Sequence, residues 1–259
     1  MLIAHISDFH VFAQSPETSL VRADAAQAAA RVVADLAAFR PALDAVMFTG
    51  DLTDGGSAAD YALLRDLLAP LAVPVFVVPG NHDKRATLRE AFAGSIPFAD
   101  PDFLHYEVAF GALRILALDT LVEGRVEGRL CSRRLAWIEE RLSRAGTQPM
   151  CIIMHHPPFP TGIGALDRMS LVEGADALGR LVASRSTGVR ILCGHIHRPV
   201  HGVWNGAYAA IAGSPAFQVG LDLDPDADEP GPLHEPYAYF VHRLGADGSF
   251  SVHTRYVRI

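Results

Sequence analysis

Leu2-Ile3-Ala4-His5-Ile6-Ser7-Asp8-Phe9-His10 opens the chain with an apolar run that breaks off into an acid and an imidazole two residues apart. An apolar run of this length, bounded at once by polar residues, reads as a buried strand over residues 2–6 whose end carries chemistry. The same pattern returns four times. Gly50-Asp51-Leu52-Thr53-Asp54 follows a strand at 45–49, Gly80-Asn81-His82-Asp83 one at 74–78, His155-His156-Pro157-Pro158 one at 150–154, and Gly194-His195-Ile196-His197 one at 189–193. Amphipathic stretches at 23–39, 84–92, 132–142 and 175–183 read as helices. Another is opened by a capping box at Ser57-Ala58-Ala59-Asp60 and runs to 68. Strands alternating with helices predict an α/β fold. In such folds the loops leaving the carboxyl ends of strands gather along one edge, so five distant blocks can meet there.

Elsewhere the pattern changes. Residues 103–110 and 113–118 form a hairpin joined at Gly111-Ala112. Beyond 193 no helix is expected. Residues 200–204, 207–212, 237–244 and 249–257 read as one antiparallel run, with Asn205-Gly206 and Asp247-Gly248 as its tight turns. Residues 161–168 carry two glycines after three prolines and promise no regular structure. The acidic, proline-rich stretch 222–236, with Asp222, Asp224, Asp226, Asp228 and Glu229, reads as a solvated loop, or else as a lid or subunit contact. With no repeat or linker in view, residues 1–259 are expected to form a single domain.

Half of the 259 residues are hydrophobic, enough for a large core. The net charge of -7, without a basic stripe, argues against a nucleic-acid surface. It leaves a phosphate substrate open, because bound cations reverse the local field. Neither a secretory leader nor an apolar run long enough for a membrane span is visible, so a cytoplasmic location is expected. Cys131, Cys151 and Cys193 show no metal-binding spacing, and Cys151 and Cys193 read as buried free thiols.

The blocks offer carboxylate, amide and imidazole donors. Asp8 and His10, two apart in an extended segment, can face one ion, and His195 and His197 repeat that spacing. Gly50 lets the backbone turn so that Asp51 reaches the strand ends, and a carboxylate can bridge two cations where an imidazole cannot. Mixed nitrogen and oxygen donors suit zinc, manganese, iron or cobalt better than calcium or magnesium. By contrast, His5, His105, His242 and His253 read as core histidines, and His201 and His234 as surface ones.

The series D-x-H, G-D-x-x-D, G-N-H-D, H-x-P and G-H-x-H over residues 8–197 resembles the calcineurin-like metallophosphoesterases. Ile6-Ser7-Asp8, Pro79-Gly80-Asn81-His82-Asp83 and Met154-His155-His156-Pro157-Pro158 look most like the class III cyclic nucleotide phosphodiesterases and their glycerophosphodiesterase relatives. The resemblance implies a four-layer α-β-β-α sandwich, two mixed sheets flanked by helices with a binuclear site at the strand ends. One transition-metal ion would be held by Asp8, His10, Asp51 and His197, the other by Asp51, Asn81, His155 and His195. His155 is chosen over His156 because it precedes Pro157 by two. His82 would contact the phosphate and protonate the leaving group, Asn81 would polarise the phosphate, Asp83 would orient His82, and Asp54 would be supporting. The reaction implied is in-line attack by a metal-bridging hydroxide on a small soluble phosphodiester, a cyclic nucleotide or a glycerophosphodiester.

A broad-specificity phosphomonoesterase could use the same centre, since substrate choice lies in its walls. Residues 12–20, 122–128, 161–168 and 214–217 are the candidate walls. A nuclease fits the acidic balance poorly, and a scaffold that had lost its chemistry should have lost ligands too. Some glycerophosphodiesterase relatives carry cysteines in a C-terminal cap, and residues 222–236 have none. Homodimerisation through the late strands or this loop is compatible with the composition.

Overall fold

In a computed structural model the chain forms two mixed sheets with helices on their outer sides. The structure describes residues 1–259 apart from 18, 99, 186–187, 225, 228–230 and 234. In the first sheet β1 (Leu2–Ile6), β2 (Ala45–Phe48) and β3 (Val75–Val77) lie parallel. On the other side of β1 the sheet continues antiparallel through β14 (Tyr237–Leu244) and β15 (Phe250–Val257). The second sheet has the order β10 (Val200–Trp204), β11 (Ala207–Ile211), β9 (Val189–Cys193), β7 (Met150–Ile153), β5 (Leu113–Ala117), β4 (Tyr106–Phe110). Its four middle strands are parallel and both edges antiparallel. Two small ladders complete the pairing, β6 (Gly128–Arg129) with β8 (Leu171–Glu173) and β12 (Gln218–Val219) with β13 (Pro232–Leu233).

The layering follows from side-chain alternation. Ile115, Ala117, Cys151, Ile153 and Leu192 share one core with the first sheet, α1 (Ala25–Ala38) and α2 (Ala58–Leu68). Their neighbours Leu116, Met150, Ile152 and Ile191 point the other way, into a second core. That core is closed by α4 (Ser132–Arg144) and α6 (Ala175–Ala183). The result is the expected four-layer sandwich. Two shorter helices, α3 (Arg85–Ala91) and α5 (Gly164–Asp167), edge it. The capping box forms as expected: Ser57 Oγ accepts the Asp60 N–H at 3.1 Å, and the Asp60 carboxylate accepts the Ser57 N–H at 3.0 Å.

Four expectations need correction. The stretch 222–236, expected to be irregular, contributes Pro232–Leu233 as β13, paired with β12. The late strands are not one antiparallel run: the β10–β11 hairpin joins the second sheet beside β9, and β14–β15 joins the first beside β1. Turn chemistry specifies a hairpin locally but not which sheet edge receives it. Residues 161–168 contain one helical turn, α5, because the Asp167 carboxylate accepts the Thr161 and Gly162 N–H groups and fastens the loop onto it. His253 is exposed rather than core, since β15 is an edge strand with an open face. His201 is exposed as expected, while His234, Asp228 and Glu229 lie outside the described residues. Cys151 and Cys193 are buried free thiols. Among the described residues no helix is long and apolar enough to cross a membrane.

His5, His105 and His242 are buried as expected. Burial pushes the His5 imidazole down to about 3 and holds His242 well below its ordinary range. Both are therefore neutral in the fold and take up protons on unfolding below the ordinary histidine value near 6.5. Their stabilisation is present above that pH and lost as pH falls toward the folded values. His5 alone should cost about 2 kcal/mol of stability at pH 5 relative to neutrality. Urea denaturation of the metal-free protein at pH 7 and pH 5 checks this; equal midpoints would contradict it.

Candidate metal centre

Each block leaves the carboxyl end of a strand: β1, β2 and β3 from one sheet, β7 and β9 from the other. Backbone bonds lace these ends together, with Asp8 N–H donating to Gly50 O at 3.0 Å, His10 N–H to Asp51 O at 3.1 Å and Gly194 N–H to His155 O at 3.0 Å. Gly50, at φ 97°, is where the two sheets touch. A Cβ there would lie 2.5 Å from His155 Nδ1 and 2.9 Å from Gly80 N, so no larger residue fits.

Asp8, His10, Asp51 and His197 converge on one point, buried to 5 % exposure or less. His10 Nε2 lies 3.2 Å from His197 Nε2 and 3.5 Å from Asp51 Oδ2, and His197 Nε2 lies 3.3 Å from Asp8 Oδ1. The same Asp51 Oδ2 is 3.3 Å from His155 Nε2. Asn81 Oδ1 in turn lies 3.1 Å from both His155 Nε2 and His195 Nδ1. Asp51 is thus common to two donor clusters.

Whether this donor set fits cations is decided by the far side of each ring. His10 Nδ1 bonds Asp54 Oδ1 at 2.9 Å, His155 Nδ1 faces Thr49 O at 2.8 Å, His195 Nε2 faces Met169 O at 2.9 Å and His197 Nδ1 faces Phe217 O at 3.0 Å. Every one of these acceptors fixes an N–H outward and leaves the opposite nitrogen's lone pair for the centre, the support that metal-bound histidines need. The residues fit a pair of cations: this is a binuclear metal-binding site. His156 lies alongside but faces Thr120 Oγ1 at 2.7 Å through Nδ1 and Val126 O at 2.9 Å through Nε2. Both its nitrogens are spent, which favours His155 over it.

Two readings of the sequence change here. The i, i+2 pairs do not work through extended backbone. Asp8, His10, Asp51, His195 and His197 all have φ between 45° and 74°, and among the described non-glycine residues only Asn205, in a hairpin turn, shares that conformation. Left-handed backbone is costly for such residues, and here it is concentrated on the donors. It also separates His195 from His197, sending one to each cluster. Secondly, Asp83 does not orient His82. Its carboxylate accepts the N–H groups of Leu52 at 3.1 Å and Gly80 at 2.9 Å and the Tyr61 hydroxyl at 2.6 Å, tying the 51–54 loop to the 80–83 loop. The contact to His82 comes from Asp54: His82 Nδ1 donates to Asp54 O at 3.0 Å, with Asp54 Oδ1 at 3.3 Å.

The electrostatics match these contacts. Burial lowers His10, and it takes His195 down to about 3, so both are neutral imidazoles ready to coordinate. Burial is the largest single influence on His155 and His82 and acts to lower both, but Asp51 together with their other partners outweighs it. His155 is raised to about 9, and His82, with Asp54 adding to the effect, to about 10. Burial and the Asp51 charge push Asp83 up to about 6. A cation held by His155 Nε2 would therefore have to displace its proton. Apparent metal affinity should rise about tenfold per pH unit from pH 7 toward pH 9 and then level off. Calorimetric titration in buffers of different ionisation enthalpy should record about one proton released at pH 7; no release would contradict the assignment.

The carbonyl partners Met169 O and Phe217 O were not legible in the sequence, because a backbone acceptor leaves no residue signature. Phe217 is also the aromatic face against His197, at 3.9 Å between ring centroids. Ser214 Oγ donates to Asp8 O at 2.6 Å.

Two sheets whose strand ends deliver a carboxylate-bridged pair of histidine-rich clusters define a metallophosphoesterase. The sequence profile of the calcineurin-like phosphoesterases matches residues 1–199, and the chain belongs to that family. It is 30% identical over 257 residues to a probable glycerophosphodiester phosphodiesterase of Arcobacter nitrofigilis, covering 99% of this chain and 93% of that one. It is 36% identical over 227 residues to a probable cyclic nucleotide phosphodiesterase of Rhodopseudomonas palustris, covering 86% and 82%. A dimetal phosphatase from Danio rerio shares the fold with a TM-score of 0.75 at 17% identity, over 99% of this chain and 95% of that one.

Proposed function

We propose that residues 1–259 form one cytoplasmic metallophosphoesterase domain that hydrolyses a small soluble phosphodiester, a glycerophosphodiester or a cyclic nucleotide. The observation that carries this reading is the shared Asp51 Oδ2 between two clusters whose histidines are all braced from behind. The two relatives, each a probable phosphodiesterase by name, support the diester over the monoester.

Asp8, His10, Asp51 and His197 would hold one ion and Asp51, Asn81, His155 and His195 the other, with iron, manganese, zinc or cobalt suiting the donors. A cation pair there supplies Lewis acidity and an activated water for attack on phosphorus. The protein supplies the rest. Asp54 anchors His82 through Nδ1 and leaves Nε2 free to donate a proton to the departing oxygen. Asp51 Oδ1 accepts the His82 N–H at 2.9 Å, which fixes that ring beside the cluster. Asp83 keeps the Asn81-His82 turn at its height by holding Gly80.

The test is turnover by metal-loaded enzyme of p-nitrophenyl phosphate, bis(p-nitrophenyl) phosphate, cyclic AMP and a glycerophosphodiester side by side. One of the diesters should have the highest kcat/KM. A preference of about tenfold or more for the monoester would overturn the diesterase reading in favour of a phosphomonoesterase.

A further inference from the structure

Beside the metal centre, on the His82 side, lies an open cavity of about 490 Å³. Asn81 and His82 form its inner edge, and Glu17, Lys84, Glu123 and Arg125 furnish its charged walls. Among the described residues the apolar side chains that line it are Ala86 and Val126, and apart from the His82 imidazole, which Asp54 holds at the inner edge, no lining residue is aromatic. Nucleobases are held on aromatic faces. Hydroxyl groups are held by carboxylates that accept and ammonium groups that donate. The chemistry of this wall is that of a polyol site.

Lys84 is the chain's only lysine; every other member of its 22 Lys and Arg side chains is arginine. An ammonium is a compact point donor where a guanidinium is a broad fixed fork. The Lys84 stem crosses Gly56, where a Cβ would come within 2.8 Å of Lys84 Cγ, and no ion pair engages its ammonium among the described residues. The facing wall is set in advance. Val126 O holds His156 Nε2, and Glu123 Oε1 accepts the Arg85 N–H at 3.3 Å. His82 reaches into this space, so what occupies it is the group that departs with the proton.

We propose that this cavity seats the leaving alcohol and that Lys84 and Glu17 make it selective for a small polyhydroxy alcohol, glycerol in kind, over a nucleoside. The proposal rests on the phosphodiesterase reading and narrows its substrate class. The metal-loaded wild type should then show a higher kcat/KM for glycerophosphoglycerol than for cyclic AMP. Lys84→Ala and Glu17→Gln should each lower the ratio of kcat/KM for glycerophosphoglycerol to that for bis(p-nitrophenyl) phosphate by about tenfold or more. Parallel losses on both substrates, or an unchanged ratio, overturn the subsite. Turnover of the aryl diester without glycerophosphoglycerol overturns the subsite alone, and absence of all diester turnover overturns the parent reading with it. A second readout is independent of the variants. Reductive methylation with isotopic formaldehyde marks Lys84 as the one side-chain amine. Its NMR signal should move with glycerol phosphate and not with inorganic phosphate; equal shifts would refute selective contact.

Discussion

Asp51→Asn is expected to empty both halves of the metal centre at once. Asp51 Oδ2 lies 3.5 Å from His10 Nε2 and 3.3 Å from His155 Nε2, so each cluster loses the same negative oxygen. An asparagine amide keeps the volume and can still accept from His82 N–H, but it carries no charge and cannot bridge two cations. Metal content should fall from about two ions per chain to near zero, and diester turnover by about 10³-fold or more, the loss that several kcal/mol of Lewis-acid stabilisation implies. His197→Ala is the contrast, because it touches only the cluster with Asp8 and His10 and should deplete that ion first. Elemental analysis and turnover on the same preparations check both. Retention of both ions by Asp51→Asn would remove Asp51 from the bridging position. Far-UV circular dichroism should stay native, since strand pairing and cores do not pass through this carboxylate.

How far the sequence carried the fold can be followed strand by strand. The apolar runs ending at Ile6, Phe48, Val77, Ile153 and Cys193 were legible because a buried parallel strand must be apolar on both faces and must stop where polar loops begin. The Ser57 cap was legible for a similar reason, since its partner is only three residues away. What stayed hidden depended on contacts between distant segments. Nothing local in β10–β11 or β14–β15 says which sheet edge awaits each hairpin, because the edges are made by β9 and β1 more than a hundred residues apart in the chain.

The site divides along the same line. The candidate donors sit in short blocks and could be picked out directly, whereas the way they are aimed could not. Spacing suggested that Asp8 and His10 reach their ion from extended backbone, while the structure bends both through positive φ, as it does Asp51, His195 and His197. Such strain persists only where surrounding bonds over-determine it. His195 N–H donates to both Asp8 carboxylate oxygens at 3.1 Å, and that cross-bond joins β1 to β9 across the sheets. The exchange of roles between Asp54 and Asp83 has the same origin. Asp83 is adjacent to His82 in sequence, but the turn points its carboxylate at Gly80, Leu52 and Tyr61, and a residue 28 positions earlier takes the ring instead.

His82→Ala is expected to spare the metals and slow the enzyme according to its leaving group. The ring bonds Asp54, packs edge-on against His10 at 4.6 Å between ring centroids and borders the cavity, and it supplies no donor to either cluster built on Asp51, so ion content should stay at the wild-type level. Its task would be to give a proton to an alkoxide, and a positioned general acid contributes about 10²–10⁴-fold. A glycerol-type alkoxide needs that proton and should show the whole loss. A p-nitrophenolate departs without one and should show little. The pH profile carries the same signature. Burial lowers the His82 imidazole, but Asp51 and Asp54 raise it to about 10 in the metal-free protein, and cations beside Asp51 would move it down from there. The alkaline limb of alkyl-ester turnover should thus fall as pH rises through the shifted value, and that limb should be absent from His82→Ala. Asp54→Asn should shift the same limb to lower pH without abolishing it, because one of the charges that holds the proton is gone while the backbone acceptor at Asp54 O remains. Equal losses on activated and unactivated esters would assign His82 to phosphate binding instead of proton transfer.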